Sequence, residues 1–298
     1  MSATLQEIED GIHSADESIR LDWALRRDFT PTPEQVERGL TDEDMLVKAT
    51  WAQRMDFTPT PEQIERGLTD EDAWVRAAWA ERMDWTPTPE QVERGLTDAF
   101  QLVRRTWAER ADYTPTPEQI ERGLTDEDYI VVEAWVERTD FVLTHKQIER
   151  LLTDSSSYIR ALCGQRTDFI ASPEQIERGL KDPDSNVRWV WAGKTDWTPS
   201  PEQVERGLTD EDEMVRCKWA ERMDFTPTPE QIERGINDIS YEVVLAWLLR
   251  EDIIWTEAQI ESGLQHPDEE VRDGWENVVR RQNDCSDECH ESIVMSSI

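Results

Sequence analysis

Apolar residues recur along this chain with helical spacing, and the whole pattern returns every 28 residues. Within residues 28–55 the apolar positions include Val36 and Leu40 in a first segment and Val47 and Trp51 in a second. Spacings of about four residues place such side chains on one face of a helix, so each repeat predicts two short helices. One repeat has too few apolar positions for a core, but stacked repeats would share a continuous one.

The register of the repeat is invariant. Each copy begins with an Asp, and these are Asp28, Asp56, Asp84, Asp112, Asp140, Asp168, Asp196, Asp224 and Asp252. Residues 1–27 form an N-terminal partial (capping) repeat, residues 28–279 form nine full repeats, and residues 280–298 form a polar C-terminal tail. The predicted fold class is all-α, a right-handed-type α-solenoid of stacked short helix pairs in an elongated single domain. Matching positions are called a column below, named after the residue in 28–55.

The ends of both helices are marked in the sequence. A Thr or Ser followed three residues later by Gln or Glu, as at Thr60 and Gln63, is a capping box and predicts the start of the first helix. Gly39 and its equivalents are predicted to end or loosen that helix. We expect the Asp42 column to cap the second helix, and the Arg54 column to suit the negative end of its dipole.

The Trp51 column is predicted to be buried. Its spacing from Val47 places it on the core face of the second helix, which we favour over a ladder of Trp side chains for ligand stacking. Cys163 is the one gap in this column, and it lies in repeat 140–167, which departs most from the others. That repeat also has Leu151 in the glycine column. A bend, a docking point and relaxed packing all remain open interpretations of it.

The charge balance favours a basic protein as partner. Asp and Glu number 66 against 32 Lys and Arg, which gives a formal net charge of −34. Repulsion disfavours direct binding to nucleic acid or to an anionic membrane. The sequence shows no apolar run of about 18 residues, no secretion signal at its start and no cysteine spacing typical of a disulfide framework. A cytoplasmic location is therefore expected, and the oligomeric state stays open.

No arrangement of residues suited to catalysis or to a cofactor emerges. The four His do not recur in an acid–base arrangement, and the sequence has neither a Gly-rich phosphate loop nor a nucleophile motif. Cys285, Cys289 and His290 in the tail supply three ligands, one fewer than a structural zinc site uses. We predict a non-enzymatic protein without metal or cofactor.

Two motifs recur in the repeats: an Asp-x-Asp-x-x-Val-Arg run, which includes Asp72 to Arg76 and Asp184 to Arg188, and a Pro-Glu-x-Ile/Val-x-x-x-Leu helix. In these motifs the repeat resembles the leucine-rich repeat variant and HEAT-like families of helical-pair solenoids. The resemblance implies a binding scaffold and no enzymatic activity. One type of leucine-rich repeat variant carries an iron–sulfur cluster on clustered Cys; because this chain lacks such a cluster of Cys, the resemblance implies no cofactor here.

Two acidic columns are uniform enough to suggest a function. Helical layers about 8–10 Å apart would spread them over roughly 80–100 Å. DNA of that length carries about 50–60 charges, and the net charge of −34 exceeds half of this. We hypothesise a nucleic-acid-mimicking inhibitor of a DNA- or RNA-binding protein, as in anti-restriction or anti-CRISPR strategies. Its candidate residues are Glu37, Glu65, Glu93, Glu121, Glu149, Glu177, Glu205 and Glu233, with Asp56, Asp84, Asp112 and Asp196.

The alternative is a protein-interaction scaffold that recognises its partner through variable positions. The columns of Met45, Leu46 and Ala49 vary between repeats and share one face of the second helix. Large side chains there are candidate anchors for a partner. They are Trp74, Tyr129, Tyr158, Trp189, Met214 and Tyr241. In this alternative the acid serves solubility, and pairs between Glu34 and Arg38, four residues apart, form a solvated face.

Overall fold

The computed structural model describes residues 4–295, with side chains described as far as Gln282. That part of the chain consists of twenty helices and connecting loops, without a strand. Contacts divide the chain into an N-terminal half, Met1–Gln147, and a C-terminal half, Ile148–Ile298. Within residues 4–295, no helix combines the length and the apolar character that a membrane span needs.

Two helices alternate along every repeat, a first and a second. In the N-terminal half they are α1 (Leu5–Ile12), α2 (Glu17–Leu25), α3 (Pro33–Leu40), α4 (Met45–Ala52), α5 (Pro61–Leu68), α6 (Ala73–Ala80), α7 (Pro89–Leu96), α8 (Gln101–Glu109), α9 (Pro117–Gly123) and α10 (Tyr129–Glu137), and α11 (His145–Leu151) lies at the boundary. In the C-terminal half they are α12 (Ser157–Gln165), α13 (Pro173–Gly179), α14 (Ser185–Gly193), α15 (Pro201–Leu208), α16 (Glu213–Ala220), α17 (Pro229–Ile236), α18 (Tyr241–Leu248), α19 (Glu257–Gly263) and α20 (Glu269–Met295). The predicted all-α solenoid of tandem helix pairs is confirmed.

The second helices form the tightly packed layer of each half. Helix α4 packs on α6 and α6 on α8, as α14 packs on α16 and α16 on α18. First helices of neighbouring repeats touch one another far less. Within each half, first helices instead pack on the second helix of their own repeat, as α3 packs on α4 and α15 on α16. One face of each of these second helices is thereby shielded, and the opposite face stays exposed.

The predicted capping boxes of the first helices are confirmed. Thr60 accepts a hydrogen bond from the backbone N–H of Gln63, and the Gln63 side chain accepts one from the backbone N–H of Thr60. This exchange satisfies donors that a helix start leaves free. A Pro at the first helical position, such as Pro61, needs no such partner.

The cap of the second helix is Asp44, so the prediction for the Asp42 column was wrong. Asp44 accepts hydrogen bonds from the first N–H groups of α4. Asp42 is buried because Arg20 of the preceding repeat donates to both of its carboxylate oxygens, at 2.8 and 2.9 Å. The Asp42 carboxylate therefore forms a contact between repeats.

The first helices end at the glycine column or one residue after it, as at Gly123 and Leu40, and the glycine serves close packing and not a left-handed cap. Gly39 lies inside α3, and no glycine among the described residues has a positive φ. A Cβ atom on Gly39 would lie 2.3 Å from the Trp51 ring. The indole rests directly on the helix backbone at this point, and only glycine leaves room for it.

Burial of the Trp51 column is confirmed in the full repeats, whereas Trp23 of the partial repeat is half-buried. The gap in the column, Cys163, has a compensating partner. The column is at most 2% exposed at Trp51, Trp79, Trp107, Trp135, Trp191, Trp219, Trp247 and Trp275. In repeat 140–167 the small and the large residue change places, since Leu151 stands for glycine and Cys163 for Trp. Both side chains are fully buried. The leucine side chain thus occupies the side of the helix on which the indole lies elsewhere.

The exchange at Leu151 and Cys163 predicts a strong coupling between the two positions. Leu151→Gly alone removes a buried side chain and adds a helical glycine, at a cost of about 3–5 kcal/mol. Cys163→Trp alone forces an indole against Leu151 and costs about 1–3 kcal/mol. The double variant restores the glycine–tryptophan pair of the other repeats, so we expect most of both losses to be recovered in the free energy of unfolding measured with urea. Losses that simply add would contradict compensation.

Candidate protein-interaction surfaces

The carboxylates of the Glu37 column, called the Glu37 row below, link the first helices of neighbouring repeats. Glu37 accepts hydrogen bonds from Arg66 at 2.9 Å and from the Gln63 side chain at 3.0 Å, both in the next repeat. The expected pairing of the Glu34 and Arg38 columns within one helix is replaced by this contact between repeats. Equivalent ion pairs join Glu65 to Arg94, Glu93 to Arg122, Glu149 to Arg178, Glu177 to Arg206 and Glu205 to Arg234.

These contacts lower the pKa of Glu37, Glu65, Glu93, Glu177 and Glu205. The Arg94 guanidinium and then the Gln91 amide hold the pKa of Glu65 below its ordinary value. Arg206 has the largest effect on Glu177, which Lys181 and Gln203 also stabilise, and its pKa falls to about 2. The row therefore stays ionised at neutral pH while arginines compensate much of its charge.

The lowered pKa of Glu65 and Glu93 predicts how stability depends on pH. A folded-state pKa below the unfolded value adds stability above the ordinary carboxyl value of 4.5, and that stability is lost as pH falls through the folded pKa. We expect Glu65→Gln/Glu93→Gln to be less stable than wild type at pH 7, by roughly 1 kcal/mol in all because the pairs are half exposed. The difference should close progressively below pH 4.5. Urea titrations at several pH values measure it, and a constant gap would contradict the assignment.

The carboxylates of the Asp28 column, called the Asp28 row below, form ion pairs with the buried arginines of the Arg54 column. The Arg54 guanidinium forms a two-point ion pair with Asp56, and its Nη1 donates to the carbonyl oxygens of Ala24 and Arg26 in the preceding repeat. Nη2 also donates to the carbonyl of Phe29, so all five N–H donors of the guanidinium are used. Arg54 follows the end of its own second helix, and its side chain in addition binds the carbonyls at the end of the preceding second helix.

Asp196 is the exception in this row. Lys194 replaces the arginine there and donates only to the carbonyl oxygens of Gly164 and Arg166, at 3.1 and 3.0 Å. Within the described part of the chain, Asp196 is the one member of the Asp28 row without an ion pair, and it is exposed. The two acid rows chosen from the sequence thus lie mostly in contacts between repeats.

Other carboxylates face solvent. The Glu43 column comes just before the cap of the second helix, and the side chains of Glu43, Glu127 and Glu211 are 87–89% exposed. The Glu34 column is exposed as well, at Glu34, Glu62, Glu90, Glu118, Glu174, Glu202 and Glu230. The Glu37-row carboxylates that pair with arginine are themselves 37–49% exposed, so this row combines a contact between repeats with an accessible surface.

The six large side chains chosen at variable positions are all exposed. Their exposed fractions range from 36% at Trp189 to 60% at Tyr129. In the N-terminal half Trp74 packs edge to face with Phe100, with ring centres 6.2 Å apart. Met45, in the column of Tyr129, and Leu46, in the column of Trp74, are exposed as well. The C-terminal half contributes Tyr158, Trp189, Met214 and Tyr241. We call this set, with Met45 and Leu46, the variable stripe.

A cavity beside Trp189 differs in charge from its counterpart in the N-terminal half. The cavity has a volume of about 400 Å³ and is lined by Gln165, Gly193 and Lys218 among others. The matching cavity of about 270 Å³ has Glu109 and Glu137 in the columns of Gln165 and Gly193. The Lys218 ammonium lies 5.4 Å from the centre of the Trp189 ring. Two carboxylates of the counterpart are thus absent from this cavity, which has a lysine and an indole ring in addition.

Metal-ligating side chains do not cluster among the described residues. No group of three or more His, Cys, Asp or Glu side chains among them is placed to bind a metal ion. Burial raises the pKa of the Cys163 thiol to about 12, which keeps it protonated and unreactive. The Cys285, Cys289 and His290 side chains considered for zinc lie outside the described residues.

The fold is similar to that of a solved helical-repeat protein. A solved structure described as a leucine-rich repeat variant with a novel repetitive structural motif is 22% identical and superposes with a TM-score of 0.52, covering 83% of this chain and 86% of that one. The Escherichia coli protein YibA is 15% identical with a TM-score of 0.39, covering 90% of this chain and 98% of that one. No protein-family model and no curated protein matches the sequence. The predicted similarity to leucine-rich repeat variants is confirmed at the level of fold, and solenoids of stacked repeats typically serve as interaction scaffolds.

Proposed function

We propose that this chain is a non-enzymatic scaffold that holds a protein partner on the variable stripe of its second helices. The observation that carries the proposal is the exposure of large apolar side chains at the positions where the repeats differ. Aromatic and Met side chains are typical anchors of protein interfaces. A Trp side chain exposed to water contributes no free energy of burial to folding. Because these positions vary along an otherwise uniform surface, each repeat presents a different contact.

The uniform and the variable columns have different roles, and this difference supports the proposal. The uniform charged columns, such as those of Glu37 and Arg54, make contacts from one repeat to the next. Their uniformity follows from a packing geometry that every repeat shares. Stripe residues also touch the next repeat, as Trp74 touches Phe100 and Trp189 touches Lys218, but these side chains stay exposed and differ from repeat to repeat.

The proposal is tested by partner capture with matched variants. Proteins retained by the immobilised wild-type chain are compared with those retained by Trp189→Ala and by Trp74→Ala. Hot-spot truncation costs about 2 kcal/mol or more, so we expect affinity for the specific partner to fall at least about thirtyfold, with weak dependence on salt. Met223→Ala is the control, because Met223 is equally exposed but lies in a column outside the stripe. If all variants retained the partner equally, the proposal would be contradicted.

A second function, mimicry of a nucleic acid, is favoured by the exposed Glu43 column and by the net charge of −34. Under this alternative the partner is a basic DNA- or RNA-binding protein. Reversal of the exposed Glu34, Glu62 and Glu90 to Lys, which form no ion pair among the described residues, should abolish binding, DNA should compete, and affinity should fall steeply with salt. Trp189→Ala should then have little effect. The Glu37 row is unsuitable for this test because its reversal would break contacts between repeats.

A further inference from the structure

The last junction between first helices, α17 against α19, lacks a residue that the neighbouring junctions have. One junction earlier, Glu205 accepts hydrogen bonds from Arg234 at 2.9 Å and from Gln231 at 3.0 Å. In repeat 252–279 the arginine column holds Ser262. Its partner column still presents a carboxylate, Glu233, which accepts only from Asn237 of its own repeat among the described hydrogen bonds, at 3.1 Å.

A groove opens where the arginine is missing. Its volume is about 840 Å³, and Ile232, Ile253, Ile254, Glu233 and Gln259 are among the residues that line it. Ile254 is 89% exposed, although Thr occupies its column in most other repeats. Ile232 is half-buried, whereas its equivalent Val204 is almost fully buried. The groove therefore combines apolar walls with a carboxylate that has no cation.

The neighbouring junctions show which group fits this environment. At Glu177 the next repeat supplies an amide from Gln203 and a guanidinium from Arg206, 3.0 and 2.9 Å from the same carboxylate oxygen. At Glu233 the carboxylate and the amide-bearing Gln259 are retained, but the arginine is absent, and the described contacts include no hydrogen bond from Gln259 to Glu233. Arg234 at the edge of the groove is already paired with Glu205. A guanidinium from outside the chain would complete the set.

We propose that this groove binds an arginine side chain of a partner protein. The guanidinium would pair with Glu233, and its methylene stem would lie along Ile232 and Ile254. A planar guanidinium can bind a carboxylate at two points, which a lysine ammonium cannot, so the groove selects arginine. The net charge of −34 adds attraction for a cationic segment. This inference is independent of the proposed function, because the groove lies between first helices and away from the variable stripe.

N-acetyl-arginine amide is the probe for this inference, titrated into the full chain. Binding is followed by the NMR shift of the Ile254 δ1 methyl group, with the exposed Ile170 methyl as an internal reference. We expect saturable shifts at Ile254 and none at Ile170. The citrulline analogue has the same shape without the charge, and it should bind at least about tenfold more weakly, as the loss of a charged hydrogen bond implies. Equal binding of citrulline, or equal shifts at both methyls, would overturn the proposal.

Two variants decide whether Glu233 and the vacant arginine position are responsible. Ser262→Arg installs the side chain found in the other repeats and should reduce binding of the probe at least about tenfold by occupying the carboxylate. Glu233→Gln removes the charge without changing the shape and should weaken binding to the same extent. Trp189→Ala should bind the probe as the wild type does, which separates this groove from the stripe. Unchanged affinity in both groove variants would refute the assignment.

Discussion

Gly67→Ala is expected to be among the most destabilising single substitutions in this chain. The added Cβ would lie 2.1 Å from the Cδ1 and Nε1 atoms of Trp79, an indole that is fully buried and has nowhere to move. Either the helix α5 or the ring must shift, and both are packed against neighbours. We expect a loss of about 3 kcal/mol or more in the free energy of unfolding, measured with urea and Trp fluorescence.

Gly193→Ala is the matched control for this prediction. Its Cβ would meet the Cε atom of Lys218 at 2.9 Å, and that atom is the far end of a flexible side chain. Alanine also favours a helix over glycine by up to about 1 kcal/mol. We therefore expect Gly193→Ala to be neutral or stabilising. If both glycine substitutions destabilise the chain equally, close packing against Trp is not what the glycine column provides.

Arg82→Met is expected to have a comparable effect through a different mechanism. The Arg82 guanidinium is buried and donates to the carbonyl oxygens of Ala52 and Arg54 and to both oxygens of Asp84. Methionine fills much of the volume but leaves these acceptors without donors. Removal of one partner of a buried ion pair costs about 3–5 kcal/mol. The thermal midpoint and the free energy of unfolding should both fall.

Lys194 replaces the arginine of this column in one repeat and so provides a natural control. This lysine keeps two carbonyl contacts and leaves Asp196 without an ion pair. Lys194→Arg should therefore stabilise the chain, because a guanidinium reaches Asp196 as Arg222 reaches Asp224. Arg82→Lys should cost less than Arg82→Met for the same reason. A stable Arg82→Met variant would show that the buried network is dispensable.

The helices, their first-helix caps and the buried Trp column were all predictable from the sequence. Capping boxes such as Thr60 with Gln63 act over three residues, and the spacing from Val47 to Trp51 is one helical turn. Such signals are local, and repetition every 28 residues reinforces each of them. The exposure of Trp74 and Tyr129 also followed from the sequence, since they vary in a frame that is otherwise constant.

Only the tertiary structure decided what the uniform charged columns do. Asp42 meets Arg20 across 22 residues, Glu37 meets Arg66 across 29, and Arg54 reaches the carbonyl of Ala24 across 30. A column that is identical in every repeat offers no hint of its partner. Paired changes do offer one, as at Leu151 with Cys163.

The sequence by itself determined which segments are helical and which side of each helix is buried, because these depend on contacts within one or two turns. The tertiary structure alone decided which carboxylates remain accessible. That depends on side chains of the adjacent repeat, whose positions follow from how two helix pairs stack and not from any local pattern.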